Sequence, residues 1–497
     1  MTTIDIVIVA IYAVGLFSLA QWVSRDTGKA KTTEDYFLAG RTLPWWAIGA
    51  SLIAANISAE QIIGQSGQGY VVGLAIAAYE WQAAIVLLIV AKYFLPIFLK
   101  REIYTMPQFL QTRYGTGVKS LMSFYWIVLY TAVNLTAVLW LGGLAIESLT
   151  GLNVMTAMIS LAAFAVLYSL NGGLKAVALT DIIQVVILIL GGLAITWLAL
   201  DAVSSGQGAL AGLARLGEEV PGHFKMILDE AHPNYRDLPG IWTLLGGLWV
   251  LHFSYWGFNQ YIIQRALGAE SLAEAQKGLA FAAFLKLLIP VIVVVPGIAA
   301  LVLAQDGALA ANVLNSQSDR TYGELMKLAP AGLRGLVFAA LIAAIVSSLA
   351  SMMNSISTIF TMDIYRQYVG EARDESHYVM VGRVVALASM VIELVLARPF
   401  LGGMESAFQT IQEYTGFIAP GVVTISLLGF FFQRPNEASA HAVLIGSVVA
   451  SLALKVAMPA LPFVPRSWLV FLINVALGVF VSRATRDPAA GQSVLLI

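Results

Sequence analysis

The sequence predicts an all-α, polytopic membrane protein, and three observations predict it. Of the 497 residues, 59% are hydrophobic and only 11% charged, with a mean hydropathy of +0.81; a soluble domain carries roughly 25% charged residues. Hydropathy also divides the chain into about 13 segments long enough to cross a bilayer. Finally, the polar residues Asn56, Ser58, Glu60 and Gln61 fall at the middle of one such segment. An uncompensated polar side chain at that depth is expensive, and an ionisable one marks function.

The segments lie near residues 4–23, 45–69, 72–99, 119–149, 152–171, 175–204, 238–265, 274–304, 333–360, 377–397, 404–432, 438–458 and 464–482. The first has no basic leader and runs about 20 residues, so it reads as a retained helix rather than a cleaved signal. No linker or composition shift marks a soluble domain, so 1–497 reads as one transmembrane unit. Within it, 1–44 holds the first helix and an inner loop, and 433–497 holds peripheral helices. Lys and Arg set the orientation. With the N-terminus outside, the inner loops hold Arg25, Lys29, Lys31, Lys100, Arg101, Arg113, Lys119, Arg265, Lys277 and Arg366, among others. The bias is roughly two to one inward, which also puts the C-terminus in the cytoplasm. Two long outer connections, 205–237 and 305–332, are expected to be a lid or a solvated spacer. The inner stretch Glu102–Tyr114 has apolar residues at helical spacing and is expected to lie along the membrane surface.

Two segments are interrupted. One breaks around Asn56, in a run of small residues that lets the backbone leave helical geometry. The other breaks around His252–Gly257. They lie five spans apart, and an odd offset gives them opposite orientation. Broken helices are tolerated only where they line a cavity. Paired at matching positions of two halves, here 45–204 and 238–432, they point to an inverted-repeat transporter with its site at the midplane. A polar helix–helix contact in an ordinary bundle is the competing account.

Sodium, as a hard cation, wants oxygen ligands. Hydroxyls plus carbonyls freed by a broken helix can supply them, and Ser347 and Ser348 sit in a run of small residues. For the run alone close helix packing is the better account; paired with the broken stretch at Asn56, the run becomes a reasonable cation site. Among intramembrane charges, Glu60, Glu80, Asp181 and Glu413 fall inside predicted spans, and Lys286 lies too deep to snorkel. Lys286 is expected to face a polar cavity or an acid. Glu80 stands between Tyr79 and Trp81. That arrangement suits a polyhydroxylated ligand, whose hydroxyls need acceptors and whose C–H faces need rings; a structural Lys–Glu pair is the alternative. Gln61, Gln65, Gln412 and Asn56 add neutral donors and acceptors, Tyr255 and Trp256 offer rings, and His252 reads as a neutral, hydrogen-bonded imidazole.

The composition also excludes. With a net charge of −1, no basic field suggests nucleic acid. Without cysteine there is no disulfide, thiolate metal site or thiol nucleophile. The chain lacks a P-loop, an HExxH and a dinucleotide fingerprint, so an enzyme is not expected.

Several stretches resemble the sodium/solute symporter family, in its bacterial sodium/glucose-type branch. They read Asp35-Tyr-Phe-Leu-Ala-Gly40, Trp45 to Gln61, Tyr79-Glu80-Trp81, Tyr168-Ser-Leu-Asn-Gly-Gly173, Tyr255 to Arg265, Ala344-Ile-Val-Ser-Ser348-Leu-Ala-Ser351, Phe360-Thr-Met-Asp-Ile-Tyr365 and Ile411-Gln412-Glu-Tyr-Thr-Gly416. The resemblance implies a leucine-transporter-like fold of two inverted five-helix repeats. It implies a sodium-coupled symporter of a sugar or related polyol in a bacterial inner membrane, without an obligate protein partner. An amino-acid or carboxylate symporter and a sugar-binding membrane sensor remain as alternatives. By position, the resemblance puts sodium on the carbonyls of Ala54, Ile57 and Ala344 and the hydroxyls of Ser347 and Ser348. Asp181 would lie on the exit path, or join Ser348 and Ser351 in a second sodium site. Sugar contacts would come from Gln61, Glu80, Lys286 and Gln412, with Asn56 nearby and Tyr255 as an inner gate. The chain departs from the family's galactose-binding pattern with Ala83, His252 and Gln65, so the substrate expected is a hexose such as galactose or glucose, or a related polyol, with the choice among them left open. It also stops one peripheral span short of those members, which is expected to leave the core unchanged.

Overall fold

The computed structural model describes residues 1–23, 38–101, 103, 105–169, 173–369, 373–402 and 406–485. The Asp35 end of the first family-like stretch, Asn171 and Gly172 of another, and the basic residues Arg25, Lys29, Lys31 and Arg486 lie outside the described residues. The two faces are called inner and outer after the orientation read from the basic residues.

In chain order the spans begin with α1, Thr3–Val23. The next is broken into α2, Trp45–Asn56, and α3, Glu60–Val71, bent by 55°. Then come α4, Leu74–Lys100, a short inner helix α5, Met106–Tyr114, and α6, Thr116–Thr150. After α7, Val154–Ser169, and α8, Gly173–Val203, the chain makes its long outer loop. A second broken span follows as α9, 247–258, and α10, Gln260–Leu267. The rest is α11, Leu272–Gln305; α12, Leu333–Tyr368; α13, Glu375–Leu401; α14, Ala407–Phe431; α15, Glu437–Ala457; and α16, Phe463–Ala484. Among the described residues, nine helices pass as spans on length and apolarity, and α2/α3 makes a tenth. With α1, α7 and α9/α10 they occupy the thirteen places that hydropathy gives.

These helices form because their segments are apolar on nearly every face, as spans buried in lipid or protein must be. The breaks form where polar residues interrupt them. At the first, Ile57 takes φ −74°, ψ 71°, and the Ser58 N–H turns back to Asn56 O at 2.8 Å. That amide would otherwise bond Ala54 O, so the regular ladder lapses there. The second interruption differs in detail from the expected one. Residues Phe253–Phe258 remain helical as a π segment, and the extended residue is Asn259, φ −77° and ψ 123°. The Asn259 side chain accepts from Tyr261 N–H at 3.2 Å, starting α10 anew.

The two halves interlock through α11, which packs along both α2 and α3, and through α8, which packs on α2, α11 and α12. Close approach decides one position. A Cβ at Gly297 would stand 2.2 Å from Ser66 O, so only glycine lets α11 lie against α3. α5 does not rest on the membrane surface as expected. It is tucked under the bundle: the Thr105 hydroxyl donates to Asp363 at 2.9 Å, Met106 N–H to Gln260 Oε1 at 2.8 Å and Tyr114 OH to Ile425 O at 2.7 Å. Its buried Phe109, Leu110 and Tyr114 face protein rather than lipid.

The outer connections are structured. The first carries the helix Ala209–Glu219, and its Asn234 donates to Val71 O at 3.0 Å. In the second, Asp319 accepts from Ala407 N–H at 2.9 Å, at the start of α14. Both rim an outer vestibule of about 710 Å3 lined by Gln68, Tyr70, His223, Asn315 and Gln409. The lid reading therefore suits them better than the spacer.

Gly297→Val should destabilise the bundle by about 3 kcal/mol or more, the upper end of overpacking costs. Size-exclusion profiles in mild detergent should show loss of the monodisperse peak. Gly217→Ala, where nothing lies within 4 Å of the new Cβ, should elute like the parent.

Candidate functional site

A cavity of about 50 Å3 lies between the two breaks. Its lining includes all eight expected substrate residues: Asn56, Gln61, Glu80, His252, Tyr255, Trp256, Lys286 and Gln412. They come from six elements. Asn56 ends α2, Gln61 opens α3 and Glu80 stands on α4. His252, Tyr255 and Trp256 line one side of α9; Lys286 and Gln412 come from α11 and α14.

Lys286 is the hub. Its ammonium donates to Asn56 Oδ1 and pairs with Glu80, and it stands 4.9 Å from the centre of the Trp256 ring. Glu80 also accepts from Gln65 Nε2 at 2.7 Å. Asn56 Nδ2 donates to Tyr255 OH at 3.1 Å, and Tyr255 bonds the Tyr261 hydroxyl. A chain of polar contacts therefore runs from α4 through α11 and α2 to α9 and α10. Both members of the Lys286–Glu80 pair are buried to within 2% exposure. At such a depth each ion needs the other, because several kcal/mol of desolvation per charge must be offset by pairing.

Aromatic and amide side chains flank the cavity toward both faces. Outward, Tyr79 meets Phe408 edge to face at 5.2 Å. Just beyond, Gln409 donates to Gln68 at 2.9 Å and Gln68 donates to Ser406 at 3.2 Å. Inward, Tyr255 stands over the Tyr261–Asn259–Tyr130 cluster, where Tyr130 OH donates to Asn259 at 2.6 Å. The present volume suits water-sized occupants, so a larger ligand requires these side chains to open.

Sequence reading missed Asn134 as a lining residue, for it lies in a π segment of α6 with no motif around it. It contacts Glu60, which faces the same cavity. Ala83, at an expected contact position, is buried but does not line the cavity.

A second polar cluster lies on the inner side of the α2 break. Ser348 Oγ donates to Ala55 O at 3.1 Å, bringing α12 against the broken end of α2 beside Ala54 and Ile57. Ser347 donates to Asp181, which also accepts from Ser51 at 2.5 Å. Ala344 lies one turn from Ser347 on the same helix. Arg265 is the correction. Expected as a loop cation, it is fully buried, because α10 carries it back into the bundle. Its guanidinium donates to Ser51 at 2.6 Å and Ser351 at 2.7 Å and lies 3.5 Å from Asp181. Glu413, counted among intramembrane charges, sits apart from both clusters, paired with Arg466 at 2.6 Å and Lys455 at 3.1 Å.

The family model described as the sodium:solute symporter family matches residues 36–447. The chain belongs to this family. Among curated symporters and related proteins, it is 50% identical to a sodium/glucose cotransporter of Vibrio parahaemolyticus, over 99% of this chain and 93% of that one. It is 32% identical to sodium/myo-inositol cotransporter 2 of Sus scrofa, over 90% of this chain and 69% of that one. Its fold matches a solved Na+-coupled sialic acid symporter in a substrate-bound outward-open state, with TM-score 0.83, 20% identity, and 98% and 99% of the two chains covered. It matches Mhp1, a nucleobase-cation-symport-1 family transporter, at TM-score 0.56 and 15% identity over 94% and 98%. The architecture of this family member is therefore the leucine-transporter-like one, two inverted five-helix repeats that each begin on a broken span.

Lys286→Met strips the cation and strands Glu80. It should lower stability by about 3–5 kcal/mol. Lys286→Met/Glu80→Leu should recover most of that loss, read as thermal melting of the purified protein. Additive losses would show that the two ions do not stabilise each other.

Proposed function

We propose that this chain couples inward movement of sodium to uptake of a sugar or related polyol by alternating access, as one transporter unit over 1–497. One observation carries the substrate class. Four acceptors in the cavity, Glu60 Oε1, Gln65 Oε1, Asn134 Oδ1 and His252 Nε2, are buried without a partner among the described residues. The other ring nitrogen of His252 bonds the Ala78 carbonyl, which leaves Nε2 as the acceptor. Each unmet buried group costs about 1–3 kcal/mol. A polyhydroxylated ring supplies several O–H donors at once, and its C–H face can lie on Tyr255 or Trp256. A carboxylate brings acceptors only, and the cation it needs is already held by Glu80 and Asn56. The relatives' names, sodium/glucose and sodium/myo-inositol cotransporters, agree with a cyclic polyol.

For sodium we assign the carbonyls of Ala54, Ile57 and Ala344 and the hydroxyls of Ser347 and Ser348. The set is neutral and all oxygen, which suits a hard monovalent cation. The lapse of the ladder at Ser58 supports the carbonyl assignment, and the Ser348–Ala55 contact supports the hydroxyls. Asp181 and Ser351 then line the ion's inward exit. Arg265 already serves as cation to both, which favours the exit role over a second sodium site. Sodium bound here would hold α2 against α12 and favour the outward-open form. Such coupling is worth about 1–3 kcal/mol, and the membrane potential adds about 2.3 kcal/mol per charge per 100 mV. The inward bias of Lys and Arg supports an N-terminus outside and a C-terminus inside, and the Vibrio relative fits a bacterial cytoplasmic membrane.

Purified protein in proteoliposomes should accumulate one labelled sugar or polyol from a panel when sodium, not potassium, is outside. Accumulation of an amino acid or carboxylate instead would overturn the substrate assignment, and binding without accumulation would point to a sensor.

Ser348→Ala should raise the sodium needed for half-maximal uptake by about tenfold, one polar ligand's worth. An unchanged requirement would remove Ser348 from the ion site. Gln61→Ala should abolish uptake while melting shifts by under about 1 kcal/mol, as for a cavity-lining residue whose loss leaves the core intact.

A further inference from the structure

At the inner end of the bundle, away from both polar clusters, a cleft of about 590 Å3 lies between the ends of α14 and α16. Leu428, Phe431, Phe432 and Val479 give it an apolar wall, and Arg434 and Arg483 line it as well. The lining is graded along the helices. Arg434 follows the end of α14 and Arg483 stands in the last turn of α16, while Leu428 and Val479 lie about one turn deeper. The Phe431 and Phe432 rings are 45% and 54% exposed.

The two arginines have no task inside the protein. Neither makes a hydrogen bond or an ion pair among the described residues. An arginine beside a helix end ordinarily bonds the last carbonyls, but other residues do that here. Arg113 donates to Gly429 O at 3.3 Å and Phe432 O at 2.9 Å at the end of α14. The Asn436 amide donates to Thr485 O at 2.7 Å at the end of α16. Those bonds also fix the two rims of the cleft. The acid nearest in sequence, Glu437, does not line it; its carboxylate lies against Gly115 and Gly117 at the start of α6.

We propose that this cleft binds an anionic phospholipid, its phosphodiester on the Arg434 and Arg483 guanidiniums and one acyl chain along Phe431, Phe432 and Val479. A guanidinium is a planar fork that matches phosphate oxygens, and basic pockets between helices at the cytoplasmic side suit such headgroups. A zwitterionic lipid would bring its own cation to two arginines. A soluble phosphate would leave the phenyl rings facing water.

Thermal melting of the purified full chain in neutral detergent, with lipid titrated in, tests it. Phosphatidylglycerol should raise the melting temperature to a plateau, and phosphatidylcholine with the same chains should not; equal effects of the two lipids would overturn the proposal. Arg434→Gln/Arg483→Gln should raise the half-saturating phosphatidylglycerol concentration about tenfold or more. Lys277→Gln/Arg373→Gln removes two exposed cations of the inner face that do not line the cleft, and should leave that concentration within about twofold. Equal shifts from the two double variants would show general surface charge and no site. Val479→Trp fills the apolar part while keeping both arginines, so it should also weaken the lipid response; an unchanged midpoint would take the acyl chain out of the cleft. If Arg434→Gln/Arg483→Gln is not recovered folded, Val479→Trp decides. Glycerol phosphate, the headgroup ester without chains, should leave the melting temperature unchanged at concentrations where the lipid saturates. A rise would make the occupant a soluble phosphate ester, and the proposal would fall.

Discussion

The Lys286–Glu80 ion pair, extended through Asn56, is the constraint on which the rest of this structure depends. It joins α11 of the second repeat to α4 and the end of α2 in the first. A lysine at that depth cannot reach water, so the helices around it must bring it acceptors. Asn56 can serve only because α2 stops there, and α2 stops because Ile57 and Ser58 leave helical geometry. The break, the pair and the cavity thus require one another. Because a buried pair is costly to assemble, its presence fits a site whose polar groups serve binding more than stability.

The same break presents two different surfaces on its two sides. Its side chains Asn56, Glu60 and Gln61 face the cavity, where donors and acceptors of side-chain origin can be matched to a ligand. Its backbone end meets α12 at Ser348, where hydroxyls and carbonyls suit a small hard cation. A change in the angle between α2 and α3 would alter both at once. That is the physical basis on which two ligands can bias one conformational equilibrium.

Much of this was legible in the chain. The apolar runs, the polar interruption at Asn56 to Gln61 and the depth of Lys286 follow from hydropathy and bilayer thickness, which act on each segment by itself. The motif-bearing residues Glu80, Tyr255, Ser347 and Gln412 could be matched one by one. Other features were not legible. Arg265 reads as a loop cation because its helix ends only two residues later, at Leu267; only the path of α10 back into the bundle buries it. Asn134 sits in an unremarkable apolar run, and its importance lies in what faces it.

By itself, the sequence determined where the chain must cross the membrane, that the span holding Asn56 must break, and which residues are too polar to meet lipid. These are one-dimensional consequences of transfer free energy and backbone hydrogen bonding. The tertiary structure alone decided which of those polar residues face one another. Pairing Lys286 with Glu80 and Arg265 with Asp181 and Ser351 depends on helix register and rotation. Those are set by contacts such as Gly297 on Ser66 and Gly191 on Val337, between residues more than a hundred positions apart.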